Sequence, residues 1–429
     1  MENNKKVSCD KMQYITEKDI KLIVAKYGYE SEDTVIEKYD VHYASDKLIG
    51  FVSDYLKLQI SVSSNGTRKL LSFFVKAISK MNDAKANMAK DLGAIEKEIM
   101  FYDVIKRNLA VPGLKPWSPH FVTYLQDAVV FEDLSALQYE MRSRFEKFDK
   151  RHTLKALQTL ARFHAGSIVF EEVKSKELQR PYTVNEQYKD TLGRSGYIES
   201  DPWFIQCRTT GLEAVRTFSK YRLNVDYMKI IERRWDAVFN SAMLLGDPSS
   251  EHRNVICHRD LWNNNILFHY KKLQNNSVVP DDCVFVDFVV ARYMPPAGDV
   301  MQLLHCNLNP RFRKDNLHTF LNYYYDELKV ILKSNDIDIL NIMSREKFIT
   351  SAKEQNLWGL VTHACLVEIF WMDDDMTTNA FTESAQFHKI MYRDKATYVI
   401  NIMKNNEDYK NILLEVFEEF IEDYLLNQN

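Results

Sequence analysis

Three side chains with metal-grade oxygens lie in one stretch, residues 254–292, which contains NVICHRDLWNNNILFHY, a polar interlude and then CVFVDFVVAR. Asp260 follows one apolar, β-branched run, and Asp287 sits inside a second. Asn265 comes between them and leads straight into Ile266, Leu267 and Phe268. The pattern predicts a strand that presents a loop carrying one Asp and one Asn, and a hairpin that brings a second Asp alongside. Such a set holds a divalent metal with carboxylate and amide oxygens while keeping one carboxylate for a hydroxyl proton. That is the equipment of phosphoryl transfer to a hydroxyl. Asp260 fits the base that orients the acceptor and takes its proton, Asn265 and Asp287 fit ligands of Mg²⁺, and His258 fits a brace of the loop. Each Asp alone is explained as well by a turn or a helix cap. Two strand-tethered Asp residues with an Asn between them, and a Lys/Glu pair upstream, reverse that balance.

The upstream pair begins with Lys76, late in the mostly apolar run LLSFFVKAI. A buried ammonium without a partner is costly, so Lys76 either binds phosphate, held by a carboxylate, or snorkels to water from an edge strand. The helix that follows offers Glu96 and Glu98. At about 100° per residue, both flank the line of Leu92, Ile95 and Ile99. Phe101 and Ile105 extend the apolar surface towards Glu98, which places Glu98 in the buried sector and Glu96 at its far edge. The plainer alternative makes both solvated helix charges. There is no GxGxxG. Gly50, in LIGFVSDYL, with Ser53 three residues on, is the one turn placed to offer amides and a hydroxyl to a phosphate, although taken by itself an ordinary turn explains it better.

These residues need elements to hold them. Thr16 is a plausible N-cap for a short amphipathic helix through Ile20, Ile23, Val24 and Tyr27. Three β-like runs follow, at 42–44, 55–62 and 70–78, and Asn65-Gly66 between the last two is a hairpin turn. A helix carries Met88, Leu92, Ile95, Ile99 and Tyr102 at 4-3-4-3 spacing and stops before Pro112. Val129-Val-Phe is a further strand. From about residue 150 the chain is mostly helical, at 154–169, 225–245, 315–332, 347–372 and 409–426, with the hairpin of the opening stretch as the exception. A β-rich first third and a helical remainder imply an α+β bilobal protein with a cleft at the joint.

Composition agrees. At 429 residues with 45% hydrophobic and 12% aromatic residues, two lobes with a sizeable core are expected. Only 12 Gly and 10 Pro argue against a turn-rich or disordered chain. Lys+Arg 56 against Asp+Glu 60 leaves a net charge of −4, which offers no electrostatic reason for a nucleic-acid or anionic-membrane partner. The six Cys are scattered without a CxxC, and Cys257, Cys283 and Cys365 sit in apolar runs as buried thiols do. No leader-like segment and no run of 18 apolar residues is present, so a reduced, cytoplasmic setting is expected.

At these residues the chain resembles the kinase-like superfamily of choline kinases and aminoglycoside phosphotransferases. More closely, it resembles the insect ecdysteroid-kinase-like proteins, whose domain is called CHK kinase-like. The resemblance spans roughly residues 35–425 and rests on IGFVSDYLKLQI, FFVKAI, EKEIMFY, VVFEDL, LQTLARFHAGSI, CHRDLWNNNILF, VDFVVARY, GDVMQLL and LNYYYDEL. It implies a bilobal protein-kinase-like fold, with an N-terminal extension and helix over 1–34, an N-lobe over 35–131 and a C-lobe over 132–429. It implies ATP and Mg²⁺ as cofactors and a small-molecule alcohol as acceptor, such as an ecdysteroid, another steroid, or a plant or xenobiotic alcohol. Lys76 and Glu98 become the phosphate-anchoring pair. Phe131, Glu132, Asp133 and Leu134 become the hinge whose backbone meets the adenine, Asp260 the base, and Asn265 with Asp287 the metal ligands. Asp299 becomes a helix N-cap and loop brace, and His164 a hydrogen-bonded core histidine.

Two positions depart from the family pattern: Arg259 stands where Gly is usual, and Val289 where Gln is usual. The lone Gly50 in place of a Gly-rich loop, together with Val289, motivates the alternative, a catalytically silent nucleotide- or ligand-binding protein. The path from Asp287 to the next helix near Asp299 leaves no room for a peptide-docking segment, which favours a small acceptor. Tyr323, Tyr324, Trp358, Phe370 and Trp371 are candidates for its pocket, although aromatics at helical spacing are more often core. Asp373-Asp-Asp375 fits a solvated loop. Oligomeric state is left open.

Overall fold

The computed structural model describes residues 14–45, 53–193 and 196–427. The chain divides into two compact units, Met1–Arg107 with Ser118–Glu140, and Asn108–Trp117 with Met141–Asn429. The first is built on an antiparallel five-stranded sheet and the second is mostly helical, so the α+β expectation holds.

In the first unit, helix α1 (Glu17–Lys26) opens with a capping box between Thr16 and Asp19. Strands β1 (Val35–Tyr43), β2 (Ser53–Ser64) and β3 (Thr67–Ile78) form a meander. The β2–β3 turn is Asn65-Gly66, both at positive φ (49° and 71°), as a two-residue hairpin turn of matching twist requires. Helices α2 (Asp83–Asp91) and α3 (Ala94–Ile99) follow, then β4 (Phe121–Leu125) and β5 (Ala128–Glu132), giving the order β1-β2-β3-β5-β4. One face of the sheet buries Leu56, Leu58 and Ile60 of β2 and Phe73, Val75 and Ala77 of β3 against Ile20, Ile23 and Val24 of α1. Each of the larger side chains, all but Ala77, contributes about 1.5–3 kcal/mol on burial. Because side chains alternate along a strand, Lys76 lies on the opposite face.

The helix expected to run unbroken through Leu92 and Tyr102 is interrupted. Gly93 adopts φ 59° between α2 and α3, and α3 passes into a wide π-type segment, Met100–Ile105. The break and the wider turn re-phase the buried face. Ala94, Ile95, Glu98, Phe101, Tyr102 and Ile105 point inward, Leu92 and Ile99 are half-buried, and Glu96 is exposed.

The second unit contains α4 (Lys150–Leu178), α5 (Pro202–Phe218) and α6 (Val225–Leu244), then the β-structure of the opening stretch. Strand β6 (Val255–Cys257) leads into the 258–265 loop, and β7 (Ile266–Lys272) and β8 (Val278–Phe285) form a hairpin. Strand β9 (Arg292–Met294) returns to pair with β6. Helices α7 (Pro296–Asn307), α8 (Pro310–Lys333), α9 (Asn356–Phe370), α10 (Lys395–Asn405) and α11 (Glu407–Phe420) follow, with shorter helices among them. The segment expected as one helix over 347–372 is two, because the chain turns at Gln355, which caps Arg345–Glu354 and precedes α9. Asp373 is an N-cap and Asp374 and Asp375 open a short helix, where a loop was expected. Tyr324, Trp358 and Phe370 are core residues, and Tyr323 and Trp371 are half-buried. The five described cysteines, Cys207, Cys257, Cys283, Cys306 and Cys365, are buried thiols. Among the described residues no helix is long and apolar enough to cross a membrane.

Candidate phosphoryl-transfer site

In the first unit, Lys76 Nζ lies 3.1 Å from Glu98 Oε2, with side-chain exposures of 6% and 1%. Strand register explains why Lys76 is here. It pairs with Tyr55 on β2 and Val129 on β5, in the middle of the sheet, so it has no edge from which to reach water. Glu98 reaches it from the inward face of α3. Ser53, at the start of β2, is buried on the same face as Tyr55 and Lys76. Gly50 lies outside the described residues.

At the end of β5, Phe131 is buried and stacks edge-on with Tyr102. Glu132 accepts a hydrogen bond from the Tyr27 hydroxyl at 3.1 Å. Asp133 accepts from the Ser72 hydroxyl (2.7 Å) and from the amide and hydroxyl of Ser135, and it pairs with Lys57 at 2.8 Å. Burial alone would raise the Asp133 carboxyl, but Lys57 and the serines outweigh it and hold it below the usual range. The Glu132 and Asp133 side chains therefore serve the framework, and Leu134 begins the turn that follows, accepting from the amides of Leu137 and Tyr139.

In the second unit, the loop carrying Asp260 is held from below by α7. Asp299 accepts from the amides of His258 (2.6 Å) and Arg259 (2.8 Å). Gln302, one turn further on, accepts from the Leu261 amide and donates to the Arg259 carbonyl at 2.8 Å. Asn307 donates to the Leu261 carbonyl at 2.8 Å. Asp299 is thus a loop brace, but it is not the expected N-cap, since α7 begins at Pro296 with Asp299 inside its first turn. His164 is buried between Asp299 (3.1 Å) and the Tyr324 hydroxyl (2.7 Å), in keeping with a core histidine. His164, Cys257 and Asp299 come within 4.8 Å of one another. The Asp299 oxygens, however, already accept from two amides and a ring nitrogen, so this is a hydrogen-bond hub.

His258 ties the two acidic segments together. Its Nε2 donates to the Val286 carbonyl at 2.8 Å and its Nδ1 accepts from the Asp260 amide at 3.2 Å, an arrangement that needs the neutral ring. Burial lowers its pKa in the same sense. The Val286 amide in turn donates to the Asn265 carbonyl at 3.1 Å, which sets Asp287 beside Asn265. Asn265 Nδ2 donates to both the Asp260 carbonyl (2.9 Å) and Asp260 Oδ2 (2.8 Å). With both amide hydrogens used on Asp260, the Asn265 acceptor oxygen is turned away from it. An amide oxygen and a carboxylate, set by neighbouring backbone bonds, suit a hard oxygen-seeking cation such as Mg²⁺. Asp260 and Asp287 are half-buried, while His258, Arg259, Leu261, Asn265 and Phe288 are buried.

Both acidic segments contain a left-handed residue, Arg259 at φ 68° and Asp287 at φ 67°. Such a conformation costs on the order of 1–3 kcal/mol in a non-glycine residue. At Arg259 the side chain offsets it. The fully buried guanidinium lies over Trp358 (5.1 Å) and Tyr197 (5.7 Å) and reaches the Val290 carbonyl at 3.4 Å. Burial, with Arg292 nearby, lowers its pKa to about 10. Val289 is buried as an apolar filler.

Sequence patterns missed Gln302, Asn307 and Asn263, which donates to the carbonyls of Arg142 and Ser143. A usable signal existed: α7 is buried along its whole length, so each polar residue in it needs a partner. Trp262, two residues after Asp260, stacks on Phe370 with ring centroids 3.5 Å apart.

The family match gives the class of the protein, a kinase-like phosphotransferase. The chain belongs to the ecdysteroid kinase-like family, whose model matches residues 47–336. None of the curated proteins compared matches the sequence. Among solved structures, the chain is similar to an ethanolamine kinase of Plasmodium vivax (11% identity, TM-score 0.42, 97% of this chain and 95% of that one). It is also similar to a choline kinase of Cryptosporidium parvum Iowa II (12% identity, TM-score 0.43, 96% and 98%). A third is the streptomycin–ATP–APH(2″)-IIa ternary complex (15% identity, TM-score 0.36, 80% and 98%). Likeness of this degree carries no chemistry over to this chain.

Proposed function

We propose that this protein transfers the γ-phosphoryl group of ATP to a hydroxyl of a small hydrophobic alcohol, with ecdysteroids, other steroids, and plant or xenobiotic alcohols as the candidate class. The observation that carries this reading is the hydrogen-bonded set Asp260–Asn265–Val286–His258, which ties the loop of Asp260 and Asn265 to the segment that carries Asp287. Asp260 orients the acceptor hydroxyl and takes its proton. Asn265 and Asp287 hold Mg²⁺, which when bound neutralises the phosphate oxygens. Lys76, paired with Glu98 at 3.1 Å, anchors the nucleotide phosphates, with Gly50 and Ser53 as further candidate phosphate contacts. The backbone of Phe131 to Leu134 meets the base, within a hinge at about 131–135 between lobes over 35–131 and 132–429. Family membership supports a kinase-like activity and leaves the acceptor to be found.

The test is turnover by the purified protein with Mg-ATP over a panel of hydroxylated sterols and alcohols, read by mass spectrometry of phosphorylated products. Asp260→Asn should lower turnover by roughly 10²–10⁴-fold, the usual worth of a positioned base. Asp287→Ala should abolish it, with the melting temperature of each variant close to that of the parent. Full activity in either variant would overturn the assignment. Stabilisation by Mg-ATP without any product would instead favour a silent nucleotide-binding protein.

A further inference from the structure

A cluster that phosphoryl transfer does not use lies in the helical core of the second unit. Lys395, the first residue of α10, has no exposed surface. Its Nζ is 2.6 Å from Glu368 Oε2 on α9 and 3.0 Å from Cys207 Sγ on α5. Glu368 is likewise fully buried, and Cys207 is 1% exposed. The ammonium also lies 5.6 Å over the Trp203 ring, and the Lys395 amide donates to Gln206 Oε1 at 3.2 Å, so both ends of the lysine are fixed. Buried ammoniums ordinarily end on carboxylates and carbonyls. Here one of the two partners is a thiol, held at hydrogen-bond distance in the buried core.

Burial pushes the Cys207 thiol up, but its contact with Cys365 and the Lys395 charge outweigh this and leave it lowered to about 7. Lys395 is raised by Cys207 and Glu368 against its own desolvation, so we take it as charged. Glu368 taken alone is pushed up by burial. The charged lysine is the direction that fits two anionic neighbours at these distances. A thiolate is the form of cysteine that reacts with oxidants.

We propose that Lys395 and Cys207 form a covalent cross-linking site, joined through one oxygen atom as Nζ–O–Sγ when the protein meets dioxygen or a hydroperoxide. The step balances. The ammonium and thiolate together supply three hydrogens and give up four electrons, two from nitrogen and two from sulfur. Dioxygen accepts the four electrons. One of its atoms becomes the bridge and the other leaves as water with two of the hydrogens, while the third stays on nitrogen. With hydrogen peroxide, two equivalents are consumed and three waters leave. The bridged nitrogen is no longer cationic, so Glu368 loses its counter-charge in a fully buried site. Its helix, α9, carries Phe370 two residues further on, stacked against Trp262 of the Asp260 loop. Oxidation therefore acts on the helix that backs that loop, whatever reaction the loop performs. Small uncharged oxidants reach the cluster through local opening, whereas bulky alkylating reagents are excluded.

The experiment uses the whole native protein. It is exposed to graded hydrogen peroxide, quenched, denatured in iodoacetamide, digested with trypsin and mapped by mass spectrometry. The expected result is a linked pair of peptides containing Cys207 and Lys395, heavier by one oxygen and lighter by two hydrogens, uncleaved after Lys395, and resolved by dithiothreitol. Cys207→Ser and Lys395→Arg should lack it and Cys365→Ser should keep it. The wild-type map decides even if a variant fails to fold. Recovery of Cys207 as the alkylated thiol with Lys395 cleaved normally at every peroxide level would overturn the proposal. So would a Cys207–Cys365 disulfide, marked by loss of two hydrogens without gain of oxygen.

Discussion

Two buried lysine–glutamate pairs, one in each unit, differ in what surrounds them. Lys76–Glu98 joins the face of a sheet to a helix at 3.1 Å, and the lysine side chain keeps 6% exposure. Lys395–Glu368 joins two helices at 2.6 Å with no exposure on either side, and shares its ammonium with a thiol. Both pairs meet the same physical demand. A buried charge must be partnered, and removing one partner costs about 3–5 kcal/mol because the other is left uncompensated. The difference lies in placement: the first pair stands on the sheet face opposite the hydrophobic cluster, and the second is enclosed in core. A buried ion pair is thus a sign of function only through its setting.

Replacing both partners separates the two roles. Lys76→Met with Glu98→Leu should lower turnover by on the order of 10²–10³-fold, the scale for losing one transition-state donor. Urea midpoints should stay near those of the parent, because no lone charge remains. Lys395→Met with Glu368→Leu should leave turnover unchanged and also keep stability. The single change Lys395→Met should cost about 3–5 kcal/mol in urea unfolding. Equal loss of turnover in the two double variants would erase the distinction.

A smaller effect is expected at Arg259. Arg259→Gly relieves the left-handed backbone but removes the guanidinium that bridges Trp358, Tyr197 and Val290. Turnover at saturating Mg-ATP should fall roughly tenfold to a hundredfold through misplacement of Asp260. Arg259→Lys should not restore it, since an ammonium lacks the planar face that stacks.

The smallest expected effect is on pH dependence. His305 is buried and its pKa is lowered to about 3, first by desolvation and then by Arg313. Its folded pKa lies below the unfolded value near 6.5, so the unfolded chain binds the extra proton first. Stability should be complete above about pH 6.5 and fall with acid, by up to about 1.4 kcal/mol per pH unit from this group. Glu419, held low by Arg313 against burial, adds to the loss further down, below its ordinary range. Urea midpoints between pH 7 and 4 should show the slope, and His305→Gln should flatten its upper part.

Much of the site was legible because it is local. Thr16 and Asn65-Gly66 act on neighbouring backbone, and the Asp260-to-Asn265 spacing brings both side chains to one loop. Glu98 was legible from helical phase, although for a partly mistaken reason. Its burial depends on the Gly93 break and the π-type turn, and the uniform helix that the apolar spacing suggested does not exist. Asp299 was placed correctly as a brace and wrongly as a cap, because the residue type suits both and only the position of the α7 start decides.

By itself, the amino-acid sequence determined the elements, the order of the chemical groups and the need of Lys76 for a carboxylate, all set by propensity, alternation and the cost of buried charge. Tertiary structure alone decided which distant groups meet. Gln302 and Asn307 brace a loop more than forty positions away, and Lys395 finds Cys207 at a separation of 188 residues. Periodicity is blind to such contacts, since the energy of a buried polar group depends on the partner it meets and not on its sequence neighbours.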